Sequence, residues 1–373
     1  MDIQKYISEK VEFHNNLLEF IDSPTSISDD FPKFINYVSN LKIIENRDEY
    51  KIMLHLLYKI TKYHHRSLTF FVKIEQILLY FGCIIKQTFS NSEIFDFFQN
   101  NKRMILFLFE KKIIIPDKSI IDQLLQKSNS KDRTYRFFFF PEIKNYVDEK
   151  SIESIKDEMV EIDEKVFDNF EVKRQKGENE TYICNLIRED SIIEFVSYVN
   201  RTNFQISSSK IHPSIFETNS FLIKKNVSLI EYAAFYGSIQ IFQYLLLNKV
   251  QITPLLWLFA IHGRNPEIIH LLEENHIAPP NSSYVICLKE AIKCHHNEIA
   301  NYIIDNLLDD FKLNESVYST SFRYYNYCYF PKDFNNKLVF DYVCGFDYFT
   351  LVKLLVNKNK ITNNSEEFFI FFY

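Results

Sequence analysis

Apolar residues recur every three or four positions along most of the chain, which is the spacing of a helix that buries one face. Residues 48–63 show this clearly, with apolar side chains at 50, 52–54, 56–57 and 60. Ser92 followed by Glu93 predicts another helix start, with an N-cap and an acid in the first turn. No segment sustains the alternation that a strand requires. The pattern therefore predicts an all-α protein.

A longer pattern repeats in the C-terminal half. Each copy contains a helix with a small residue, a polar turn, and a second helix with two apolar pairs. Ala233, Ala260 and Ala291 occupy the same position in successive copies, although the whole chain has only six alanines. A small residue suits a helix that presses against the next copy. The pattern predicts helix-turn-helix copies near residues 182–199, 228–247, 255–274, 286–305 and 337–357.

These copies resemble ankyrin repeats, in which two alanines are followed by a turn, a Glu-Ile-Val segment and a Leu-Leu pair. The repeated alanines are 27 and 31 residues apart, slightly less than the ankyrin period of about 33 residues. The chain also resembles the ankyrin-related proteins that are expanded in parasitic protists and carry an ankyrin-like domain of unassigned function. The resemblance implies a solenoid of helix pairs with no built-in catalytic pocket.

The sequence departs from the ankyrin pattern at two places. The Thr-Pro-Leu-His segment that opens a standard repeat is nearly absent, and only Thr253-Pro254-Leu255 carries part of it. An insertion near residues 312–336 precedes the last copy. We therefore expect the hairpins that join ankyrin repeats to be irregular or missing.

The same patterns predict two domains, a helical N-terminal domain at residues 1–175 and a region of degenerate ankyrin-like repeats at 176–373. Residues 157–180 form the most acidic and least apolar stretch, which places the boundary near residue 175. The alternative is an exposed interdomain helix followed by a short linker.

Composition narrows the functional classes. The chain has five glycines, and no two are spaced as a Rossmann turn or a P-loop requires, so we expect no nucleotide cofactor. A formal net charge of −6 disfavours non-specific nucleic-acid binding. Six scattered cysteines without a C-x-x-C pair indicate reduced thiols in an intracellular protein, either cytoplasmic or nuclear. The longest apolar stretch, 77–85, is too short for a membrane span.

Candidate chemistry is sparse. The histidines and cysteines of the central copies do not have the paired spacing of a zinc motif, so we expect no metal. No sequence motif of nucleophilic catalysis is present, and we expect a non-enzymatic protein. The residues considered as metal ligands are His262, His270, His276, Cys287, Cys294, His295 and His296.

We expect a scaffold or adaptor that binds other proteins through exposed positions of the first helices, the turns and the aromatic insertion. The expected contact residues are Tyr236, His262, Lys293, Arg323, Tyr324, Tyr325 and Tyr327. The insertion could instead fold back and be buried between two repeats. The alternative function is an enzyme or ligand-binding protein with its site in the N-terminal half and the repeats as a targeting module. The residues that could form that site are His55, His64, His65 and Arg66.

Overall fold

The structure is a computed structural model, which describes residues 2–25, 27–67, 69–130, 134–223, 226–309, 311–334 and 336–362. Within these residues the chain is all-α, as predicted, with 23 α-helices, three 3₁₀ helices and one isolated antiparallel bridge between Lys210 and Ser228. None of the described helices combines the length and apolar character that a membrane span requires. Residues 363–373, the end of the predicted repeat region, lie outside the described residues.

Twelve of these α-helices and a 3₁₀ helix at Ile43–Glu45 precede residue 177. The helices are α1 (Ile3–Asp22), α2 (Ile27–Asn40), α3 (Arg47–Tyr63), α4 (Phe70–Tyr80), α5 (Gly82–Thr88), α6 (Asn91–Phe98), α7 (Lys102–Glu110), α8 (Lys118–Ser130), α9 (Thr134–Phe138), α10 (Phe140–Ile143), α11 (Glu149–Ile162) and α12 (Phe170–Lys176). Helix α6 is capped by Ser90 and not by Ser92 as predicted: Ser90 Oγ accepts from the Glu93 N–H at 3.2 Å, while the Ser90 N–H donates to the Glu93 carboxylate at 2.9 Å.

Eleven α-helices follow, and five pairs of them coincide with the five predicted copies. The pairs are α13 (Tyr182–Arg188) with α14 (Ile192–Thr202), α15 (Leu229–Tyr236) with α16 (Ile239–Leu247), α17 (Leu256–Gly263) with α18 (Pro266–Glu274), α19 (Tyr284–Lys293) with α20 (Asn297–Asn306), and α22 (Lys337–Gly345) with α23 (Phe349–Thr362). The predicted insertion contains α21 (Glu315–Tyr324) and a 3₁₀ helix at Tyr327–Tyr329, and another 3₁₀ helix lies at Pro280–Ser282.

One turn geometry recurs in all five pairs. A residue with φ between 49° and 71° stands two positions before each second helix. The next N–H commonly donates to a carbonyl five residues back, as from Ser238 to Ala233 and from His296 to Ala291, both at 3.0 Å. The five copies are therefore equivalent at their turns, although a single one has glycine there. The left-handed residues are Asp190, Gly237, Arg264, His295 and Asp347.

The chain forms two compact units, each discontinuous in sequence. The terminal unit comprises the described residues of 1–59, 66–74 and 304–373, and the central unit comprises those of 60–65 and 75–303. The position of the predicted boundary, near residue 175, falls inside the central unit. The sequence-based division into two domains stays a prediction.

In the central unit, the first helices of consecutive pairs pack together: α13 contacts α15, α15 contacts α17, and α17 contacts α19. The second helices α14, α16 and α18 also make consecutive contacts. The repeated residues Ala233, Ala260 and Ala291 are completely buried along these first helices. Small side chains therefore stand where neighbouring copies approach.

The terminal unit brings the described ends of the chain together. Helix α1 contacts α2, α23 and the 3₁₀ helix at Tyr327–Tyr329, while α22 packs against α21 and α23. Lys10 and Glu49 form an ion pair there, and Tyr6 donates a hydrogen bond to Glu49 at 3.0 Å. The last helix pair thus belongs to this unit.

Replacing Gly263 with alanine should destabilise the protein strongly. A Cβ at Gly263 would lie 1.9 Å from the Ala234 carbonyl oxygen, so the backbones of α15 and α17 would have to separate. We expect Gly263→Ala to lower the free energy of unfolding by about 3 kcal/mol or more, at the upper end of overpacking effects. Denaturant unfolding monitored by circular dichroism measures this change.

Gly345→Ala is the matched control. An added Cβ at Gly345 meets nothing within 4 Å, and alanine has the higher helix propensity. Its stability should equal or slightly exceed that of the wild type. Equal unfolding midpoints for the two variants would show that the close approach at Gly263 is not a constraint.

Candidate functional site

The first helices of the central unit share one face, which holds two of the expected partner-binding residues, His262 and Lys293. Phe235, His262 and Lys293 occupy equivalent positions in α15, α17 and α19, and we call this the first-helix face. The Phe235 and His262 rings stack with centres 5.2 Å apart. Most of this face is buried: every residue from 229 to 235 is buried, and His262 is only 3% exposed.

Phe221, from the long segment between α14 and α15, covers the first-helix face. Its ring centre lies 4.1 Å from that of His262, 4.9 Å from that of Phe259 and 5.8 Å from that of Phe235. Lys293 Nζ lies 5.8 Å from the same ring. The chain's own aromatic side chain therefore occupies the surface on which the sequence predicted a partner.

Residues 60–65, the other part of the central unit, contact the ends of the first helices. His64 Nδ1 donates to the Cys294 carbonyl at 2.8 Å, and His65 Nδ1 donates to the His262 carbonyl at 3.3 Å. The His65 N–H donates to His296 Nε2 at 3.2 Å. Because the last carbonyls of a helix have no partner within it, these imidazoles stabilise the C-terminal ends of α17 and α19.

His296 is held as a neutral imidazole. Its Nδ1 donates to the Ile261 carbonyl at 2.8 Å, which leaves Nε2 to accept from His65. Burial lowers the pKa of His296 well below its ordinary value, and the His64 ring, 4.8 Å away, acts in the same direction. This side chain therefore has a structural role in the turn between α19 and α20.

A polar cluster lies beneath Phe221. His262 Nε2 donates to Glu290 Oε1 at 2.7 Å, and Lys293 Nζ donates to the same oxygen at 2.7 Å. Cys294 Sγ lies 3.5 Å from His262 Nδ1 and 3.6 Å from Nε2. Burial alone would raise the pKa of Glu290, but the His262 hydrogen bond and the Lys293 ammonium lower it to about 2. Burial raises the pKa of the Cys294 thiol.

Sequence reasoning missed Glu290 in this cluster. Glu290 and Cys294 are four residues apart at the end of α19, which places them on one side of the helix. His262 aligns with Lys293 one copy earlier, so stacking of the first helices brings the His262 ring to that side. The four-residue spacing of Glu290 and Cys294 is visible in the sequence. That His262 of the preceding copy meets them is shown only by the packing of α17 against α19.

Tyr236 and Lys293 are partly exposed but make contacts within the central unit. The Arg188 guanidinium lies 5.8 Å from the Tyr236 ring centre, and the Tyr232 ring lies 4.8 Å from it. Lys293 Nζ lies 4.7 Å from the centre of the Tyr63 ring. Partner binding by these residues stays a prediction.

The aromatic insertion lies in the terminal unit and is largely buried. Arg323 is exposed and Tyr324 is half-buried, with Lys59 Nζ 5.5 Å from its ring centre. Tyr325 is 4% exposed and Tyr327 is 2% exposed, so both side chains are buried, and partner binding by them stays a prediction. Tyr325 donates to the Phe346 carbonyl at 2.9 Å, which ties the insertion to the last helix pair.

The four residues of the alternative N-terminal site are divided between the two units: His55 and Arg66 belong to the terminal unit, and His64 and His65 belong to the central unit. His55 stacks on Tyr325 with ring centres 5.6 Å apart. His64 and His65 bind helix-end carbonyls, as described above. An enzyme or ligand site in the N-terminal half stays a prediction.

In a comparison with known protein families, one family model matches the part of the chain that contains this cluster. Residues 247–332 match the model of a Domain of unknown function (DUF3447). The match covers less than a quarter of the chain and contains α17 to α21, including His262, Glu290 and Cys294. No curated protein and no solved structure matches the chain.

Phe221→Ala should destabilise the central unit, because it removes the ring that covers His262 and Phe259. Phe221 is half-buried, so we expect a loss of about 2 kcal/mol in the free energy of unfolding, less than for a fully buried phenylalanine. Chemical denaturation measures it. Phe221→Leu keeps most of the apolar volume and should lose less than half as much. Wild-type stability in both variants would contradict the covering role.

His55 should make stability depend on pH. Burial, reinforced by Lys51, lowers the pKa of His55 to about 4 in the folded chain. Its pKa in the unfolded chain is about 6.5, so the unfolded state binds the proton first and stability falls as pH drops from about 6.5 towards 4. His55→Phe keeps a ring against Tyr325 but cannot be protonated.

Between pH 7.5 and 5.5, the wild type should therefore lose about 1 kcal/mol more unfolding free energy than His55→Phe. Urea unfolding at both pH values gives the difference. Parallel losses in the two proteins would show that His55 does not titrate in this window.

Proposed function

We propose that this chain is a non-enzymatic interaction scaffold of the ankyrin-related type. The domain matched at residues 247–332 occurs commonly in ankyrin-repeat proteins, which supports this assignment. The consecutive contacts of α13, α15, α17 and α19 and of their second helices support a solenoid of helix pairs. Solenoids of this kind bind other proteins over extended surfaces rather than at a catalytic pocket.

The observation that carries the proposal is the unequal exposure of the two helices in the pairs of the central unit. The first-helix face is covered by Phe221 and residues 60–65, whereas α14, α16 and α18 expose one side to solvent. We call the exposed side chains of these three helices the second-helix face. The proposed partner binds this face. Its exposed residues include Ile193, Glu194, Arg201, Gln243, Leu247, Glu267, His270 and Glu274.

Two apolar side chains on the second-helix face are candidate anchors. Ile193 is 79% exposed and Leu247 is 81% exposed. Burial of exposed aliphatic side chains by a partner contributes binding free energy through the hydrophobic effect. Arg323 and Tyr324 remain secondary contact candidates in the terminal unit, because both retain accessible surface.

The cysteines support an intracellular, cytoplasmic location. Within the described residues all six are free, and Cys184, Cys287 and Cys294 are buried. Free thiols without disulfide partners are typical of proteins from reducing compartments.

The second-helix face is tested by quantitative affinity capture from the source cell with the full chain as bait. Ile193→Asp and Leu247→Asp should each reduce recovery of the bound partner by about 10-fold or more if the side chain is an anchor. Val172→Asp is the matched control, because Val172 is 55% exposed on α12, outside this face. Equal recovery by all three variants and the wild type would contradict binding through the second-helix face.

A further inference from the structure

We propose that a groove in the central unit binds a small amphipathic carboxylate, such as a medium-chain fatty acid. The groove has a volume of about 440 Å³ and is lined by α5, the start of α6 and the loop that joins α7 to α8. Cavities of roughly 300–1,000 Å³ commonly hold one small molecule. None of the lining residues belongs to the second-helix face, so this site is separate from the proposed partner surface.

The floor of the groove is apolar. Phe89, Ile94 and Ile113 line it and are themselves buried. Ile115 lines it as well and is 67% exposed, which places this side chain at the rim. The apolar body of a ligand would cover Ile115 and the accessible part of the floor, and the removal of this surface from water favours binding.

The backbone holds the rim of the groove in place. Beyond the end of α7, Lys112 has a left-handed conformation (φ 53°), and the Ile113 N–H donates to the Leu108 carbonyl at 2.9 Å. Asn91 then fixes the loop: its Nδ2 donates to the Ile115 carbonyl at 2.7 Å, and the Ile115 N–H donates to Asn91 Oδ1 at 2.9 Å. The groove is therefore formed before a ligand enters, which lowers the entropic cost of binding.

Two lysines give the groove its preference for an anion. Lys86 and Lys112 line it, and neither forms an ion pair with a carboxylate among the residues that the structure describes. The Lys86 ammonium donates to the Lys112 carbonyl at 3.4 Å, so two of its three N–H groups remain for a ligand. Asp117, which also lines the groove, already accepts from Asn91 Nδ2 at 2.9 Å and from the Ile120 N–H at 3.0 Å. The carboxylate of the ligand therefore belongs at the lysines, with its apolar body over the floor.

The test is calorimetric titration of the full-length chain with octanoate. One octanoate should bind per chain, with a dissociation constant below about 1 mM. The neutral analogue 1-octanol has the same hydrocarbon chain without the charge, and it should bind at least about 5-fold more weakly.

A pair of double variants tests the head-group contact. Lys86→Gln combined with Lys112→Gln should weaken octanoate binding about 5-fold or more and leave 1-octanol binding unchanged. Lys111→Gln combined with Lys118→Gln is the charge-matched control, because both lysines are exposed and neither lines the groove. This control should bind octanoate like the wild type.

Ile115→Asp tests the apolar contact. It removes the exposed apolar side chain from the rim and adds a negative charge there, so octanoate binding should weaken at least about 10-fold. Ile162→Asp makes the same change at a residue that is 51% exposed on α11, outside the groove lining, and should have no effect.

Absence of saturable octanoate binding to the folded wild-type chain overturns the proposal. Wild-type affinity in Ile115→Asp or in the variant that lacks Lys86 and Lys112 overturns it as well, because the ligand then lies elsewhere. Equal affinity for octanoate and 1-octanol overturns the anionic specificity. The substituted residues are all exposed, and circular dichroism verifies that each variant is folded.

Discussion

Helices α15 and α17 approach so closely that a Cβ at Gly263 would lie 1.9 Å from the carbonyl oxygen of Ala234. This approach requires small residues along the first helices, and it explains why a chain poor in alanine and glycine has both there. It also sets the separation at which Phe235 and His262 stack. The cluster beneath Phe221 depends on it in turn, because His262 reaches Glu290 and Cys294 only when consecutive first helices are in contact.

The close packing of the first helices leaves an apolar face that the protein covers itself. Phe221 lies over His262 and Phe259, and His64 and His65 bind the carbonyls at the helix ends. Burial of this face stabilises the central unit through the hydrophobic effect and through satisfied helix ends. The accessible part of a pair in the central unit is consequently its second helix, and the proposed interaction surface lies on α14, α16 and α18.

The terminal unit uses its aromatic residues differently. Tyr325 packs against both His55 and Tyr348, with ring centres 5.6 and 4.9 Å apart. Tyr348 in turn donates to the Phe322 carbonyl at 2.8 Å. The tyrosines and phenylalanines of the insertion are therefore a core that joins α21 to the last helix pair, and their abundance in the sequence does not by itself indicate a binding surface.

The sequence by itself determined the helical class, the positions of the five helix pairs and the small residues between them. These features follow from local spacing of apolar and small side chains, which a helix repeats every 3.6 residues. Only the tertiary structure decided which faces stay accessible and which residues meet. Phe221, His64 and His65 reach the first-helix face from distant parts of the chain, and Glu290 joins His262 across two copies. Such contacts depend on how the helices pack against one another, and the local spacing of residues in the sequence does not specify that packing.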